Sequence, residues 1–148
     1  MPEIFFTESE EETEEVAFSL AEEAKIRFGD IVALKGDLGA GKTAFTRGLV
    51  RFFSPNPRVT SPTFSLVNEY KIDQNRKILH FDMYRINSGE DLLSIGFYDY
   101  LDGEALTVIE WFDKIADFFD ENTVNIDIVK SEGDKRKIVF DRDIMLYN

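Results

Sequence analysis

Residues 31–45 read IVALKGDLGAGKTAF and contain the most informative pattern of the chain. The first four are apolar, as in a strand that is buried on both faces of a sheet. A glycine-rich loop follows and leads into a candidate helix. The loop has the spacing G-x-x-x-x-G-K-[ST], that of a phosphate-binding P-loop, and consists of Gly36, Asp37, Leu38, Gly39, Ala40, Gly41, Lys42 and Thr43.

The residue types of this loop suit a nucleoside triphosphate. Its three glycines permit the positive φ angles and the close approach that let successive backbone N–H groups face one anion. Lys42 and Thr43 begin a helix, whose N-terminus favours negative charge. Lys42 is placed to reach the β- and γ-phosphates, and the Thr43 hydroxyl to ligate Mg²⁺. The loop therefore predicts nucleotide binding with magnesium.

Length and composition limit the class of protein. The 148 residues suffice for one domain, predicted to span 1–148, and 43% of them are hydrophobic. No apolar run approaches the roughly 20 residues of a membrane span, and the acidic start MPEIFFTESEEE is unlike a signal peptide. The chain has no cysteine, which excludes thiol catalysis and cysteine metal sites. We expect a cytoplasmic protein without disulfides or membrane contact.

The chain is strongly acidic. It has 17 Lys and Arg against 29 Asp and Glu, a formal net charge of −12. Nucleic-acid backbones are bound by clustered cations. We therefore expect the isolated chain not to bind a nucleic-acid backbone strongly. The acidity serves solubility or matches a basic partner protein.

Hydrophobic spacing predicts alternating strands and helices. A first strand over 3–6 precedes an acidic run over 8–14, which is expected to be the solvated start of a helix capped by Thr7 or Ser9. A contact of Thr7 or Glu10 with the nucleotide is the less favoured alternative. The first helix is expected to bury Val16, Leu20 and Ala24 and to end near Phe28–Gly29, and the P-loop helix, from Lys42 to about Phe53, to bury Phe45, Leu49 and Phe52 or Phe53.

The rest of the chain predicts strands joined by two hairpin turns. The strands are expected over 63–71, 77–81, 105–109, 124–129 and 137–140, the turns at 73–75 and 131–134, and a helix from Trp111 to Phe119. Together the elements predict an α/β fold. It is a P-loop NTPase-like three-layer domain with a mostly parallel central sheet and antiparallel hairpin additions.

Two of the apolar strands end in carboxylates. Asp82 follows the strand ILHF, and Glu110 follows LTVI. Ligands of open α/β sheets sit at the carboxyl ends of the strands, so both residues should converge on the P-loop. With Thr43 they are candidate ligands for Mg²⁺, and either could orient an attacking water. His80 belongs to an apolar strand and is expected to be structural rather than a base.

Two further features are expected near the site. Ser61, Pro62 and Thr63 belong to the loop after the P-loop helix. In GTPase-like proteins this loop is a switch that senses the γ-phosphate, and the alternative is an ordinary connecting loop. Trp111 is either a core residue or a lid near the phosphates. The chain has no N-K-x-D guanine motif, which favours ATP.

Several of these motifs together resemble the TsaE (YjeE) family of bacterial P-loop ATPases. They are GDLGAGKTAF at 36–45, VTSPTF at 59–64, HFDMYR at 80–85, IGFYDYLDG at 95–103 and VIEW at 108–111, with Gly133 and Arg136 like the family's C-terminal hairpin. The resemblance covers about residues 7–140. Ala44 stands where Thr or Ser is common in the family, and Phe112 where Pro or Ala is common.

The resemblance implies an ATPase that is required for the threonylcarbamoyladenosine modification of tRNA. Such a protein acts with the TsaD and TsaB proteins, is weakly active alone and meets tRNA only indirectly. The resemblance also implies that Lys42 binds phosphate, that Thr43 and Glu110 are metal-linked, and that Asp82 is catalytic or metal-linked. Trp111 would adjoin the site. Two alternatives remain: a small-molecule phosphotransferase of the P-loop kinase type, and a nucleotide-gated binding module with little turnover.

Overall fold

The computed structural model of the chain describes residues 2–37, 39–54, 67–82, 105–111 and 123–142. Strands and helices alternate in the first half of the chain, and strands follow. The elements are β1 (Glu3–Thr7), α1 (Glu10–Glu22), β2 (Ile31–Lys35), α2 (Lys42–Phe53), β3 (Val67–Lys71), β4 (Lys77–Asp82), β5 (Leu106–Trp111), β6 (Thr123–Lys130) and β7 (Arg136–Asp141).

The strands of the described part form one sheet in the order β1-β7-β6-β2-β5-β4-β3. β2 is parallel to both β5 and β6, and β4 is parallel to β5, so the four central strands share one direction. β1 pairs antiparallel with β7, β6 with β7, and β3 with β4. The predicted α/β class, with a mostly parallel centre and antiparallel hairpin additions, is confirmed.

The central strand β2 is buried on both faces, as its apolar sequence predicted. Val32 and Leu34 belong to the core cluster that also contains Phe45 of α2. Because side chains alternate along a strand, Ile31 and Ala33 face the other side of the sheet. They are also buried. Burial on both faces fixes the end of β2, where the P-loop begins.

The acidic run starts α1, as predicted, and Ser9 rather than Thr7 is the N-cap. The Ser9 hydroxyl accepts a hydrogen bond from the Glu12 backbone N–H at 3.1 Å. The Glu12 carboxylate in turn accepts one from the Glu8 backbone N–H at 2.8 Å. Carboxylates in this first turn also complement the positive end of the helix dipole. The acidic run is therefore explained by the helix start itself.

The predicted end of α1 and part of its predicted core face are wrong. The helix ends at Glu22 rather than near residues 28–29, and Ala24 is exposed with a left-handed φ of 58°. The left-handed conformation of Ala24 reverses the direction of the chain. As a result, the Ile26 N–H donates a hydrogen bond to the Leu20 carbonyl oxygen, and the Ile26 side chain is buried in the core. A left-handed residue after a helix is a common way to satisfy its last carbonyls.

α1 and α2 pack closely because α2 has a glycine at their contact. A Cβ on Gly48 would collide with the Glu14 carbonyl oxygen. Facing α2, α1 contributes the small residues Ala17 and Ala21 to the core cluster. This contact fixes the start of α1 relative to the P-loop helix.

The structure decides one open point of the prediction, at the end of α2, and corrects the predicted start of the helix after β5. At the end of α2, Phe53 packs against the core, whereas Phe52 is 36% exposed. The predicted helix does not begin at Trp111, because β5 continues through this residue in register with Lys35 of β2.

Predictions for 55–66, 83–104 and 112–122 lie outside the described residues. Neither of the two described helices is long and apolar enough to cross a membrane.

Candidate functional site

The P-loop connects the buried end of β2 to the N-terminus of α2. Gly39 has a φ of 79°, and Gly41, the N-cap residue, has a φ of 115°, angles that side chains rarely tolerate. A Cβ on Gly36 would lie only 2.7 Å from the Ile128 carbonyl oxygen of β6. The motif therefore needs two of its glycines for backbone conformation and the third for space.

Lys42 folds back onto the loop that precedes it. Its ammonium group donates hydrogen bonds to the backbone oxygens of Gly36 at 2.7 Å and Asp37 at 3.1 Å. The Ala40 N–H closes a turn onto the Asp37 carbonyl oxygen at 2.9 Å. These bonds hold a positive charge against a loop whose shape suits a phosphate chain.

A cleft of about 240 Å³ opens at the N-terminus of α2. It brings together Lys42 and Thr43 of the P-loop helix, Glu110 of β5 and Glu10 of α1. Gly39, Gly41, Ala44 and Arg47 complete the lining. Three predicted site residues from two distant segments thus share one cleft: Lys42 and Thr43 of α2, and Glu110 of β5.

The carboxylate of Glu110 is held by the single histidine of the chain. His80 Nε2 lies 2.8 Å from Glu110 Oε2, and the His80 side chain is fully buried. His80 Nδ1 is also buried and has no hydrogen-bond partner among the described residues. The sequence predicted a structural role for His80. Its position shows a more specific one, because the imidazole fixes the orientation of a candidate site carboxylate.

The strand ends meet beside the P-loop. Asp82 of β4 is paired in register with Glu110 of β5, which is itself opposite Leu34 of β2. This is the convergence of backbone segments that the sequence predicted. The side chains of Asp82 and Trp111 are outside the described part, so their roles stay predictions. Leu38 and the candidate switch residues Ser61, Pro62 and Thr63 also lie outside it.

The two N-terminal candidates, Thr7 and Glu10, differ in their surroundings. The buried Thr7 hydroxyl is 3.0 Å from the Thr13 hydroxyl, so Thr7 has a structural partner. Glu10 lines the 240 Å³ cleft and also a neighbouring cleft of about 320 Å³ that contains Arg136. Of the two, Glu10 is placed to meet a ligand.

Arg136 joins the site from β7, and sequence reasoning assigned it no contact there. Its Nε donates to the Ala40 carbonyl oxygen at 3.0 Å, and its Nη2 to that of Gly39 at 3.4 Å. Its Nη1 donates to the carbonyl oxygens of Gly133 and Lys135, each at 2.9 Å. The guanidinium thus ties the β6–β7 turn to the P-loop. The one available signal, the resemblance at Gly133 and Arg136, indicated a hairpin but not this contact.

The oxygen donors of the cleft suit magnesium. In nucleotide sites Mg²⁺ is held by one or two protein oxygens together with phosphate oxygens and waters. Thr43 and Glu110 line one cleft beside Lys42, and His80 orients Glu110. Within the described ranges, no group of three or more His, Asp or Glu residues is arranged to hold a metal ion. The pair Thr43 and Glu110 fits an ion that is shared with a phosphate.

Comparisons with known proteins agree with one another. The family profile described as "Threonylcarbamoyl adenosine biosynthesis protein TsaE" matches residues 7–138. A Rickettsia conorii protein named tRNA threonylcarbamoyladenosine biosynthesis protein TsaE is 40% identical over 129 residues, which cover 86% of this chain and 71% of that protein. A Bacillus subtilis protein of the same name is 36% identical over 135 residues, covering 90% of this chain and 82% of that protein.

A solved structure shares the fold. The crystal structure of Bacillus subtilis YdiB is similar with a TM-score of 0.75 and 28% identity, over 95% of this chain and 84% of that chain. The range matched by the family profile includes the P-loop, Glu110 and Arg136. The similarity therefore covers the candidate site as well as the fold.

Proposed function

Because the chain belongs to the TsaE family, we propose that it acts in the biosynthesis of threonylcarbamoyladenosine in tRNA, as an ATPase that requires Mg²⁺. The names of the relatives supply the pathway. The chemistry of the P-loop cleft supports the reaction, since its residue types and their arrangement suit the binding and hydrolysis of a nucleoside triphosphate.

One observation carries the proposal: Lys42, Thr43 and Glu110 line one cleft at the N-terminus of α2. Lys42 offsets negative charge on the β- and γ-phosphates. Thr43 and Glu110 would hold Mg²⁺, which when bound neutralises charge on the phosphate oxygens. The backbone N–H groups of the loop and the helix N-terminus bind the phosphate chain.

The proposed reaction is the hydrolysis of the γ-phosphate. A water oxygen bonds to the γ-phosphorus, the bond from that phosphorus to the bridging oxygen breaks, and ADP leaves with the electron pair. The proton of the water passes to a carboxylate or a phosphate oxygen. Asp82 and Glu110, which are paired in register, are the two candidates to orient this water. His80 contributes by keeping Glu110 in one orientation.

The proposed partners are the TsaD and TsaB proteins, and the proposed compartment is the cytoplasm. Contact with tRNA would be made through the partners, because a chain with a net charge of −12 is poorly suited to bind a polyanion alone. A gel shift of tRNA by the isolated protein at sub-micromolar concentration would contradict this part of the proposal.

The test separates nucleotide binding from hydrolysis. Lys42→Ala should abolish tight ATP binding, because the variant lacks the cation of the P-loop. Glu110→Ala and Asp82→Ala should retain measurable binding and lose hydrolysis. Calorimetry with ATP and Mg²⁺ measures the first effect. Single-turnover hydrolysis, with and without the partner proteins, measures the second.

Each alternative function has its own outcome in these assays. Binding of ATP with no hydrolysis, even with the partners present, would favour a nucleotide-gated binding module. Transfer of the γ-phosphate to an added small molecule would favour a P-loop kinase. If both carboxylate variants hydrolyse ATP at the wild-type rate, the assignment of Asp82 and Glu110 is wrong.

A further inference from the structure

Lys130 lies at the end of β6, beside the P-loop. Its Nζ is 3.2 Å from the point where a Cβ on Gly39 would lie. Lys130 pairs in register with Arg136 of β7, and both share a sheet face with the core residues Ile128 and Ile138. This is the face on which α2 packs. The alternation of the two strands therefore directs Lys130 toward the P-loop.

Lys130 brings a positive charge that no described residue neutralises. Its side chain is exposed, and no hydrogen bond or ion pair joins it to another residue of the described part. Its register partner, Arg136, is also positive and uses its N–H groups on backbone carbonyls. Like charges placed directly opposite each other destabilise a sheet. The repulsion between two adjacent cations at a phosphate-binding loop is reduced when an anion binds between or beside them.

We propose that Lys130 is a nucleotide-binding residue, whose ammonium group neutralises phosphate charge on the nucleotide held by the P-loop. The inference rests on the proposed function, because it concerns the same nucleotide. It adds to the P-loop motif a cation from the β6–β7 hairpin, almost ninety positions further along the chain.

The charge balance of the cleft explains the need for this second cation. The chain carries a net charge of −12, and both Glu10 and Glu110 line the cleft. Arg47, in the same lining, is paired with Glu14 at 3.3 Å. Within this lining, Lys42 would therefore face a polyanion beside two carboxylates, while the nearby Arg136 guanidinium is bound to loop carbonyls. The distance from the Lys130 ammonium group to the P-loop is well below the Debye length, which is about 8 Å at physiological ionic strength. Its charge therefore acts at the loop with little screening by salt.

The chain offers a matched control for the test. Lys130→Met removes the charge while keeping much of the side-chain length. Lys137→Met makes the same change in net charge on the same hairpin, but Lys137 alternates to the opposite sheet face. Lys130→Arg keeps the charge. Calorimetry measures the affinity of each protein for ATP and for ADP with Mg²⁺, at about 0.1 M and about 1 M salt. Thermal unfolding of the free proteins gives Tm.

We expect Lys130→Met to weaken the affinity for both nucleotides about threefold to fivefold at the lower salt, and less at the higher salt. Lys137→Met should keep the wild-type affinity, as should Lys130→Arg. The Tm of the free Lys130→Met variant should be unchanged or about 1 °C higher, because an opposition of like charges is removed. A merely structural lysine would instead lower Tm.

Two results would overturn the inference alone. The first is that the wild-type protein binds ATP and the Lys130→Met variant binds ATP equally tightly. The other is an equal loss in both methionine variants, which would show an effect of overall charge. Wild-type protein without affinity for ATP or ADP would overturn the proposed function and this inference with it.

Discussion

The two hairpins of the sheet use an arginine in different ways. In the β3–β4 turn, the Asp73 carboxylate accepts hydrogen bonds from the backbone N–H groups of Asn75 and Arg76, at 2.9 and 2.8 Å. It also accepts one from Arg76 Nε at 2.8 Å. In the β6–β7 turn, Arg136 bonds to carbonyl oxygens of its own turn and also to those of the P-loop.

The difference shows how a hairpin becomes part of a site. Asp73 supplies an acceptor within its own turn, so the side-chain hydrogen bond of Arg76 stays in the hairpin, while its guanidinium lies 4.9 Å from the Phe28 ring centroid. Arg136 finds its acceptors at Gly39 and Ala40, so the turn and the P-loop hold each other in place. Changes in the first hairpin should alter stability alone, and changes in the second should alter nucleotide affinity.

The largest expected effect is at the contact between β6 and the first glycine of the P-loop. In Gly36→Ala the new Cβ would lie 2.7 Å from the Ile128 carbonyl oxygen, so backbone has to move. We expect a stability loss of about 1–3 kcal/mol. ATP affinity should fall about a hundredfold, because the Gly36 carbonyl also holds the Lys42 ammonium. Chemical denaturation and calorimetry measure the two effects.

A glycine of the adjacent turn provides the control. Gly133 also has a positive φ, 57°, but a Cβ there would meet nothing within 4 Å. Gly133→Ala should therefore cost about 1–2 kcal/mol of stability through backbone strain and leave ATP affinity near the wild-type value. A hundredfold affinity loss in this variant would mean that the turn conformation, rather than the contact at Gly36, controls the P-loop.

The next effect compares the two arginines directly. Arg136→Gln removes hydrogen bonds to the P-loop carbonyls and should weaken ATP binding about tenfold. Arg76→Gln makes the same chemical change in the other hairpin. It should leave affinity unchanged and cost less than about 1 kcal/mol, since its ion pair with Asp73 is exposed. Equal affinities of the two variants for ATP would remove the distinction between the hairpins.

The fold was predictable where its signals are local. The apolar runs of β2 and β5, the glycine spacing of the P-loop and the turn residues of both hairpins each identify an element without knowledge of the rest. The end of α1 was missed because the left-handed residue there is Ala24, which carries no glycine signal. The continuation of β5 through Trp111 depends on pairing with β2, a non-local property.

The residues of the candidate site also divide into those with a local sequence signal and those without one. Lys42 and Thr43 follow from the motif, and Glu110 follows from the rule that ligands bind at strand ends. The bond between His80 and Glu110 needs the register of β4 and β5, which no single segment contains. The bonds from Arg136 to the P-loop join residues almost one hundred positions apart. Contacts of this kind become visible only when the sheet order is known.

The smallest expected effect concerns the acid stability of the β3–β4 hairpin. Hydrogen bonds from the Asn75 backbone N–H, together with those from Arg76, hold the pKa of Asp73 below its ordinary value of 3.8. A carboxyl group whose pKa is lowered by folding stabilises the folded state above its unfolded pKa. That contribution is lost as the pH falls through the folded value. The Asp73 side chain is exposed to solvent, so the effect should be small.

The variant Asp73→Asn tests the direction of this pH dependence. It also tests whether the β3–β4 hairpin is independent of nucleotide binding. The variant should be slightly less stable than wild-type protein at neutral pH. The difference should shrink as the pH falls below 3.8, because protonated Asp73 also lacks the charge. Denaturation midpoints across this pH range give the difference in stability, and calorimetry at neutral pH gives ATP affinity, which should not change.

If the difference in stability between the variant and wild-type protein does not depend on pH, Asp73 acts through the geometry of the turn rather than through its charge. A change in ATP affinity would show that the β3–β4 hairpin, too, is coupled to the P-loop.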